Sequence, residues 1–209
     1  MSFSYDAKLE LCRLGIQKLC CARAEAYGIL LYCNTFSATE VRIITENGEL
    51  AQRLPRLFHR AFNLRFDRLP EPDQEGKLIF QITDRKKLNH IINLIGYSPQ
   101  QNIVLHVNFG ILEEECCRAA FLRGIFLAGG SCTDPQKRYH LELATSHQQA
   151  GRELEALLMD MGFQPKSVQR NGYHVTYFKQ SEHIEDFLTL IGAPVAAMAV
   201  MSAKEKDLR

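Results

Sequence analysis

The sequence lacks any long hydrophobic run. No stretch approaches the roughly 18 consecutive apolar residues that a membrane-spanning helix needs, and residues 1–14 mix charges into the positions where a signal peptide has its apolar core. We therefore expect a cytoplasmic protein without membrane contact. With 46% hydrophobic and 23% charged residues among 209, the composition is that of an ordered globular chain, long enough for one large domain or two small ones.

A charge excess of either sign is also lacking. The formal net charge is +1, whereas domains that bind nucleic acid usually carry a clear basic excess. Any surface that binds DNA must therefore be local.

The seven cysteines do not form a disulfide pattern. Their number is odd, two pairs are adjacent (Cys20-Cys21 and Cys116-Cys117), and a chain of this size does not need covalent cross-links for stability. We expect reduced thiols.

The chain contains an internal repeat with an offset of 96 residues. Matches at this offset open and close two segments of equal length, which chance rarely produces. The matches are Cys20-Cys21 with Cys116-Cys117, Ala24 with Ala120, Gly28 with Gly124, and Leu94-Ile95-Gly96 with Leu190-Ile191-Gly192.

Hydrophobic periodicity predicts the same order of elements in both halves, α-β-β-α-β-β-α. In the first half the predicted elements are helix 23–32, a short strand near Thr35, strand 40–45, helix 49–62, strands 64–68 and 77–83, and helix 85–95. In the second half they are helix 118–128, a short strand near Ser131, strand 139–145, helix 147–161, strands 166–170 and 173–179, and helix 182–191. A separate amphipathic helix is predicted over 5–14.

These elements predict a mixed α+β chain with five segments. They are an N-terminal helix and lead-in (1–19), a first repeat (20–99), a linker (100–115), a second repeat (116–200) and a C-terminal segment (201–209). Pro99–Asn102 has the composition expected of a linker between the repeats.

Every fourth position of the two opening helices is small. Such a row forms one stripe on a helix and lets two helix backbones approach closely. A glycine inside a helix costs about 1 kcal/mol of stability, so its presence at the same place in both halves indicates a structural role. We expect the two helices to pack against each other at a pseudo-twofold axis; the alternative is that each stripe packs on the sheet of its own half. The stripe consists of Cys20, Ala24 and Gly28 in one helix and Cys116, Ala120, Gly124 and Ala128 in the other.

The same stripe suggests a role for the cysteines. Cys20 and Cys116 are expected to act as small buried spacers. A metal site built from both pairs is the alternative, but adjacent cysteines on one helix point in different directions and lack the spacing of zinc knuckles. We predict no metal and no cofactor.

Two segments resemble the LAGLIDADG motif of homing endonucleases: Leu122–Ser131, and more weakly Ala26–Asn34. Over almost all of its length the chain also resembles the WhiA family of bacterial sporulation regulators. The residues that carry this resemblance are Cys116–Ser131, Asp134-Pro135, Tyr139–Glu142, Ser2–Ser4 and Leu190–Ala193.

The resemblance implies a monomeric saddle of two LAGLIDADG-like halves, followed in the family by a C-terminal helix-turn-helix DNA-binding domain. The printed sequence ends at Lys204–Arg209, where the linker to such a domain would begin, so we expect an N-terminal domain of a longer protein. Active endonucleases of this fold place an acidic residue near the foot of each opening helix to hold divalent cations. The corresponding residues here are Cys33 and Gly129, so we expect no nuclease activity.

In the resembled fold the concave sheet face lies along DNA. Strand alternation turns Val41, Ile43, Leu141 and Leu143 inward and Arg42, His140 and Glu142 outward. Solvated strand faces without a ligand are the alternative, because Asp67 and Glu142 interrupt the positive surface. The candidate DNA-binding residues are Arg42, Arg65, His140, Lys166, Arg170 and Lys179.

Two functional hypotheses follow. The first is a non-catalytic, nucleoid-associated domain of a transcriptional regulator of sporulation or cell division, which contacts DNA itself or positions the helix-turn-helix domain. The second is a protein-interaction module that recruits a partner, such as a sigma factor or division component, without contacting DNA. A surviving metal nuclease is disfavoured by Cys33 and Gly129.

Overall fold

A computed structural model describes residues 2–16, 18–97 and 106–207. Within these residues, the first half contains four α-helices and three strands, and the second half contains one 3-10 helix, four α-helices and four strands. The elements in chain order are α1 Phe3–Cys12, α2 Leu19–Tyr32, β1 Thr35–Phe36, β2 Val41–Thr45, α3 Gly48–Phe62, β3 Leu78–Ile82, α4 Arg85–Leu94, a 3-10 helix Phe109–Leu112, α5 Glu115–Gly129, β4 Gly130–Cys132, β5 Leu141–Thr145, α6 Gln148–Asp160, β6 Lys166–Arg170, β7 Tyr173–Phe178, α7 Ser181–Ile191 and α8 Pro194–Asp207.

The strands form two antiparallel sheets, one in each half. The first has the order β1-β2-β3 and the second the order β4-β5-β7-β6. Val41 and Ile43 of β2, and Leu141 and Leu143 of β5, are buried as the alternation predicted, while the residues between them are partly exposed. Each sheet therefore has one face in the core and one outer face.

The opening helices α2 and α5 lie at the centre of the molecule. In α2 every residue from Ala24 to Tyr32 is buried, which is the pattern of a helix surrounded by protein on all sides. None of the described helices is long and apolar enough to cross a membrane.

The two central helices pack backbone against backbone. A Cβ atom built on Gly28 would lie 2.2 Å from the carbonyl oxygen of Phe121, and one built on Gly124 would lie 2.0 Å from that of Glu25. These two contacts exchange under the 96-residue offset, so they are the same contact made twice about a pseudo-twofold axis. The small stripe thus packs across the two halves at these positions. Gly129, at the end of α5, instead approaches the sheet of its own half, where a Cβ atom built on it would lie 2.5 Å from the oxygen of Ala144.

Besides shifts of one to four residues at the ends of other elements, including the opening helices, which begin at Leu19 and Glu115, three predictions differ from the structure. The strand predicted over 64–68 is absent, and only Arg68 forms a bridge, with Gln81. The chain leaves α3 through the left-handed Asn63 (φ 54°). The Asp67 carboxylate then accepts hydrogen bonds from the backbone N–H groups of Thr83 and Asp84. The predicted helix over 5–14 begins and ends two residues earlier, at Phe3 and Cys12, with Ser2 as its N-cap.

The third difference is α8, which sequence periodicity did not indicate. It runs through the boundary predicted at residue 200 and includes residues 201–207 of the expected linker. Its N-terminus is held by Glu10 of α1, whose carboxylate accepts hydrogen bonds from the backbone N–H groups of Val195 (2.7 Å) and Ala196 (3.0 Å).

In the predicted linker 100–115, the described part contains the 3-10 helix and the first residue of α5, and Pro99–Asn102 lies outside the described residues.

A buried ion pair joins the halves beside the glycine contacts. The Arg53 guanidinium of α3 donates two hydrogen bonds to the Glu25 carboxylate of α2, at 2.8 and 2.9 Å, and Arg123 of α5 donates a third at 3.0 Å. Arg53 also donates to the carbonyl oxygen of Leu14. Burial opposes the charge of Arg53, but the hydrogen bonds to Glu25 outweigh it and raise the pKa of Arg53.

Candidate nucleic-acid interface

The outer face of the four-stranded sheet carries a row of polar side chains. The strand register aligns Ser131 with Glu142, Glu142 with Tyr177, and Tyr177 with Lys166, so the row crosses all four strands. Strand β6 is exposed along its whole length. This is the arrangement in which successive strands present side chains to one extended ligand.

Glu142 lies at the middle of this face and neutralises part of its positive charge. It forms an ion pair with Arg170, and His140 lies 3.0 Å from it through Nε2. Burial favours protonation of Glu142, but the hydrogen bonds from Arg170 and His140 outweigh that effect and lower its pKa. Arg170 is therefore an exposed side chain whose charge is already paired with Glu142.

Lys166 and Lys179 have no carboxylate partner within the described part of the chain. The ammonium of Lys179 lies 5.6 Å from the ring centre of Tyr177, and the His140 ring stacks on the same tyrosine at 5.6 Å with an interplanar angle of 23°. Two free cations and a tyrosine–histidine stack thus occupy one sheet face.

Arg42 occupies the corresponding face of the three-stranded sheet, between Thr35 and Gln81 of the neighbouring strands. Its Nε atom is buried and, among the described residues, has no hydrogen-bond acceptor. A buried donor without an acceptor costs free energy.

Arg65 does not join the other candidate residues. It lines a cavity of about 580 Å³ together with residues of α3 and α4, including His59, Lys86 and His90. The prediction that it extends a strand of the DNA-facing sheet is wrong, because no strand forms there and Arg65 lies against the helices that cover the inner face.

The two residues predicted to replace catalytic acids, Cys33 and Gly129, offer no carboxylate ligand. Cys33 caps the C-terminus of α2, is buried, and donates weak hydrogen bonds to the carbonyl oxygens of Leu30 and Thr35; burial raises the pKa of its thiol to about 12. Gly129 has no room for a carboxylate, because a Cβ atom there would lie 2.5 Å from the oxygen of Ala144.

The paired cysteines converge at the opposite end of the central helices. The sulfur atoms of Cys20, Cys21, Cys116 and Cys117 all lie within 4.8 Å of one another. Within the described residues this is the only group of three or more His, Cys, Asp or Glu side chains that could hold a metal ion. Cys20 and Cys116 are exposed, Cys21 is half-buried and Cys117 is buried.

This geometry corrects two expectations about the cysteines. The interpretation of Cys20 and Cys116 as buried spacers is wrong, since both are exposed. The argument that adjacent cysteines point apart considered one helix at a time; because α2 and α5 cross closely, the two pairs face the same point between the helices.

Sequence reasoning also missed Tyr177, which the alternation of β7 would have placed outward beside Glu142.

Burial raises the pKa of two of the clustered thiols, with help from the neighbouring sulfurs: to about 11 for Cys21 and about 12 for Cys117.

Comparison with known proteins gives consistent results. Residues 118–207 match the family described as the WhiA LAGLIDADG-like domain. A protein of Ruminiclostridium cellulolyticum named "Probable cell division protein WhiA" is 33% identical over the full length of the chain, which covers 70% of that relative.

Among solved structures, the N-terminal LAGLIDADG domain of DUF199/WhiA superposes with a TM-score of 0.69 at 19% identity, covering 91% of this chain and 92% of the other. The structure of I-DmoI in complex with DNA and Mn superposes with a TM-score of 0.57 at 13% identity, covering 83% and 98%. At these identities the two structures show that the fold is that of LAGLIDADG homing endonucleases.

Proposed function

Because the chain belongs to the WhiA family, we propose that it is a non-catalytic, DNA-associated domain of a regulator of cell division or sporulation. In this proposal the outer faces of the two sheets contact the DNA backbone and no strand is cut. A helix-turn-helix domain of the kind that the resemblance implies would supply most of the sequence recognition.

One observation carries the proposal. The outer face of the four-stranded sheet presents Lys166 and Lys179, for which the described residues supply no acidic partner, while the residues at the positions expected to hold catalytic cations are a buried thiol and a glycine. Lysine and arginine contacts to phosphates supply affinity without sequence information, so such a face can bind duplex DNA although it lacks cleavage chemistry. The LAGLIDADG relative I-DmoI has been crystallised in complex with DNA.

We expect Lys166→Glu and Lys179→Glu each to weaken binding to a duplex several-fold at low salt. Each reversal removes a phosphate contact and adds repulsion, so the slope of log K against log salt should flatten by about 0.9 for each lost contact. Fluorescence anisotropy with one duplex at several salt concentrations measures both quantities. Lys86→Glu, which makes the same charge change beside Arg65 on the helix side, is the matched control and should leave binding nearly unchanged.

Glu142→Gln tests the same surface in the opposite direction. Removing the carboxylate frees Arg170 from its ion pair and takes a negative charge from the middle of the face, so DNA binding should become tighter and its salt slope steeper. Unchanged affinity in Glu142→Gln and in both lysine reversals would reject this surface as the DNA interface.

The second candidate function, recruitment of a protein partner, is favoured by one other surface. Helix α8 exposes Val195 (69%), Met198 (64%) and Met201 (49%) on one side, and Val195 also lines a groove of about 440 Å³ between α1 and α8. If this function is the correct one, Met198→Ser should abolish partner binding while the lysine reversals leave it intact.

A further inference from the structure

The four clustered thiols lie at equivalent places on the two central helices. Cys20 and Cys21 are the second and third residues of α2, and Cys116 and Cys117 are the second and third residues of α5. The close crossing at Gly28 and Gly124 sets the helices so that both pairs meet between their N-terminal ends. The cluster therefore joins the two halves of the protein at one point.

We propose that these four cysteines bind one Zn²⁺ ion as a structural tetrathiolate site. Four cysteine sulfurs are a standard ligand set for structural zinc, and a tetrahedral site with Zn–S bonds of about 2.3 Å places its sulfurs about 3.8 Å apart. The four sulfurs here lie within 4.8 Å of one another, so rotation of the side chains closes the set around an ion. A four-iron cluster needs wider spacing, because its iron atoms separate the thiolates.

The surroundings suit a site with excess negative charge. Four thiolates and one Zn²⁺ carry a net charge of −2, and two helix N-termini, each with unpaired N–H groups and a positive dipole end, stabilise such an anion. Neither N-cap residue, Lys18 or Glu114, makes a side-chain hydrogen bond to its helix, so no capping side chain competes with the sulfurs for the first-turn N–H groups, although the Cys117 N–H donates to the Glu114 carbonyl oxygen. Lys18 adds a positive charge close enough to act on Cys116.

The site is accessible to an ion and has no open coordination position. Cys20 and Cys116 are exposed, which gives the ion a path, and four protein ligands leave no place for water or substrate, as in structural rather than catalytic zinc sites. Binding converts four thiols to thiolates and releases four protons to solvent. The ion would tie α2 to α5 and hold the pseudo-twofold arrangement.

The test uses the full 209-residue chain, reduced and freed of metal with a chelator. Addition of Co²⁺ should produce the strong thiolate-to-cobalt absorption and the visible bands of a tetrahedral site, with saturation at one ion per chain. Zn²⁺ should displace the cobalt, native mass spectrometry should show one zinc, and the thermal unfolding midpoint should rise with zinc and fall with chelator.

Cys20→Ser and Cys116→Ser remove exposed ligands with little effect on packing, so the variants should fold yet bind zinc at least about 100-fold more weakly. Cys12→Ala, a buried cysteine outside the cluster, is the control and should bind as tightly as the unchanged chain. Equal zinc affinity in all variants, absence of the cobalt bands, or disulfides among these four cysteines in protein isolated anaerobically would each overturn the proposal.

Discussion

Gly124→Ala destabilises the protein by about 3 kcal/mol or more, although alanine is the better helix former by about 1 kcal/mol. The new Cβ would lie 2.0 Å from the carbonyl oxygen of Glu25, so the two helix backbones must separate by more than 1 Å. Separation loosens a contact at the centre of the fold, because α2 is buried from Ala24 to Tyr32. Gly28→Ala should have a similar effect through Phe121.

Chemical denaturation measures this loss as a fall in the denaturant midpoint. For a protein of this size, 3 kcal/mol corresponds to a decrease of roughly 6–12 °C in the thermal unfolding midpoint. Gly48→Ala is the matched control, since Gly48 is also helical and a Cβ there meets no atom within 4 Å. A Gly124→Ala protein as stable as Gly48→Ala would mean that the helices do not pack in this way.

Glu25→Ala is the second change with a large expected effect, a loss of about 3–5 kcal/mol. It leaves the Arg53 guanidinium, whose side chain is 1% exposed, without its counter-charge, and it deprives Arg123 of an acceptor. Removing one partner of a buried pair is costly because the remaining charge stays out of water.

The double variant Glu25→Leu with Arg53→Met distinguishes the cost of an unpaired charge from the value of the pair itself. Replacing both charges with apolar side chains should recover most of the stability, because the desolvation penalty of both ions disappears. Glu182→Ala, which breaks the exposed pair with Lys204, should leave the unfolding midpoint unchanged. A double variant no more stable than Glu25→Ala would show that the charges themselves are needed.

The sequence was sufficient to predict the duplication and most of the elements. The repeat that relates Gly28 to Gly124 and the alternation in β2 and β5 can be read directly from the order of residues, and the structure agrees with both. Helix α8 was missed because its N-terminus is held by Glu10, a residue almost the whole chain away, and the short alanine-rich segment has no clear amphipathic period. Arg65 was misplaced because a left-handed asparagine redirects the chain before it.

The candidate sites depend more on tertiary structure than the elements do. The outward direction of Arg42 followed from alternation, but the ion pair that occupies Arg170 could not be predicted from strand spacing. The thiol cluster was missed for a similar reason: adjacent cysteines diverge on one helix, and only the crossing of two helices brings both pairs together. Side-chain contacts between separate elements are thus the part of the molecule that one-dimensional patterns describe least.

The most direct test of the proposed function is a single incubation of a labelled DNA duplex with the protein in Mg²⁺ or Mn²⁺, divided between a native and a denaturing gel. The proposed function predicts that the protein retards the duplex on the native gel at low salt and that both strands remain full length on the denaturing gel. Strand breaks that require the metal ion and disappear with chelator would contradict it, as would a duplex that is never retarded.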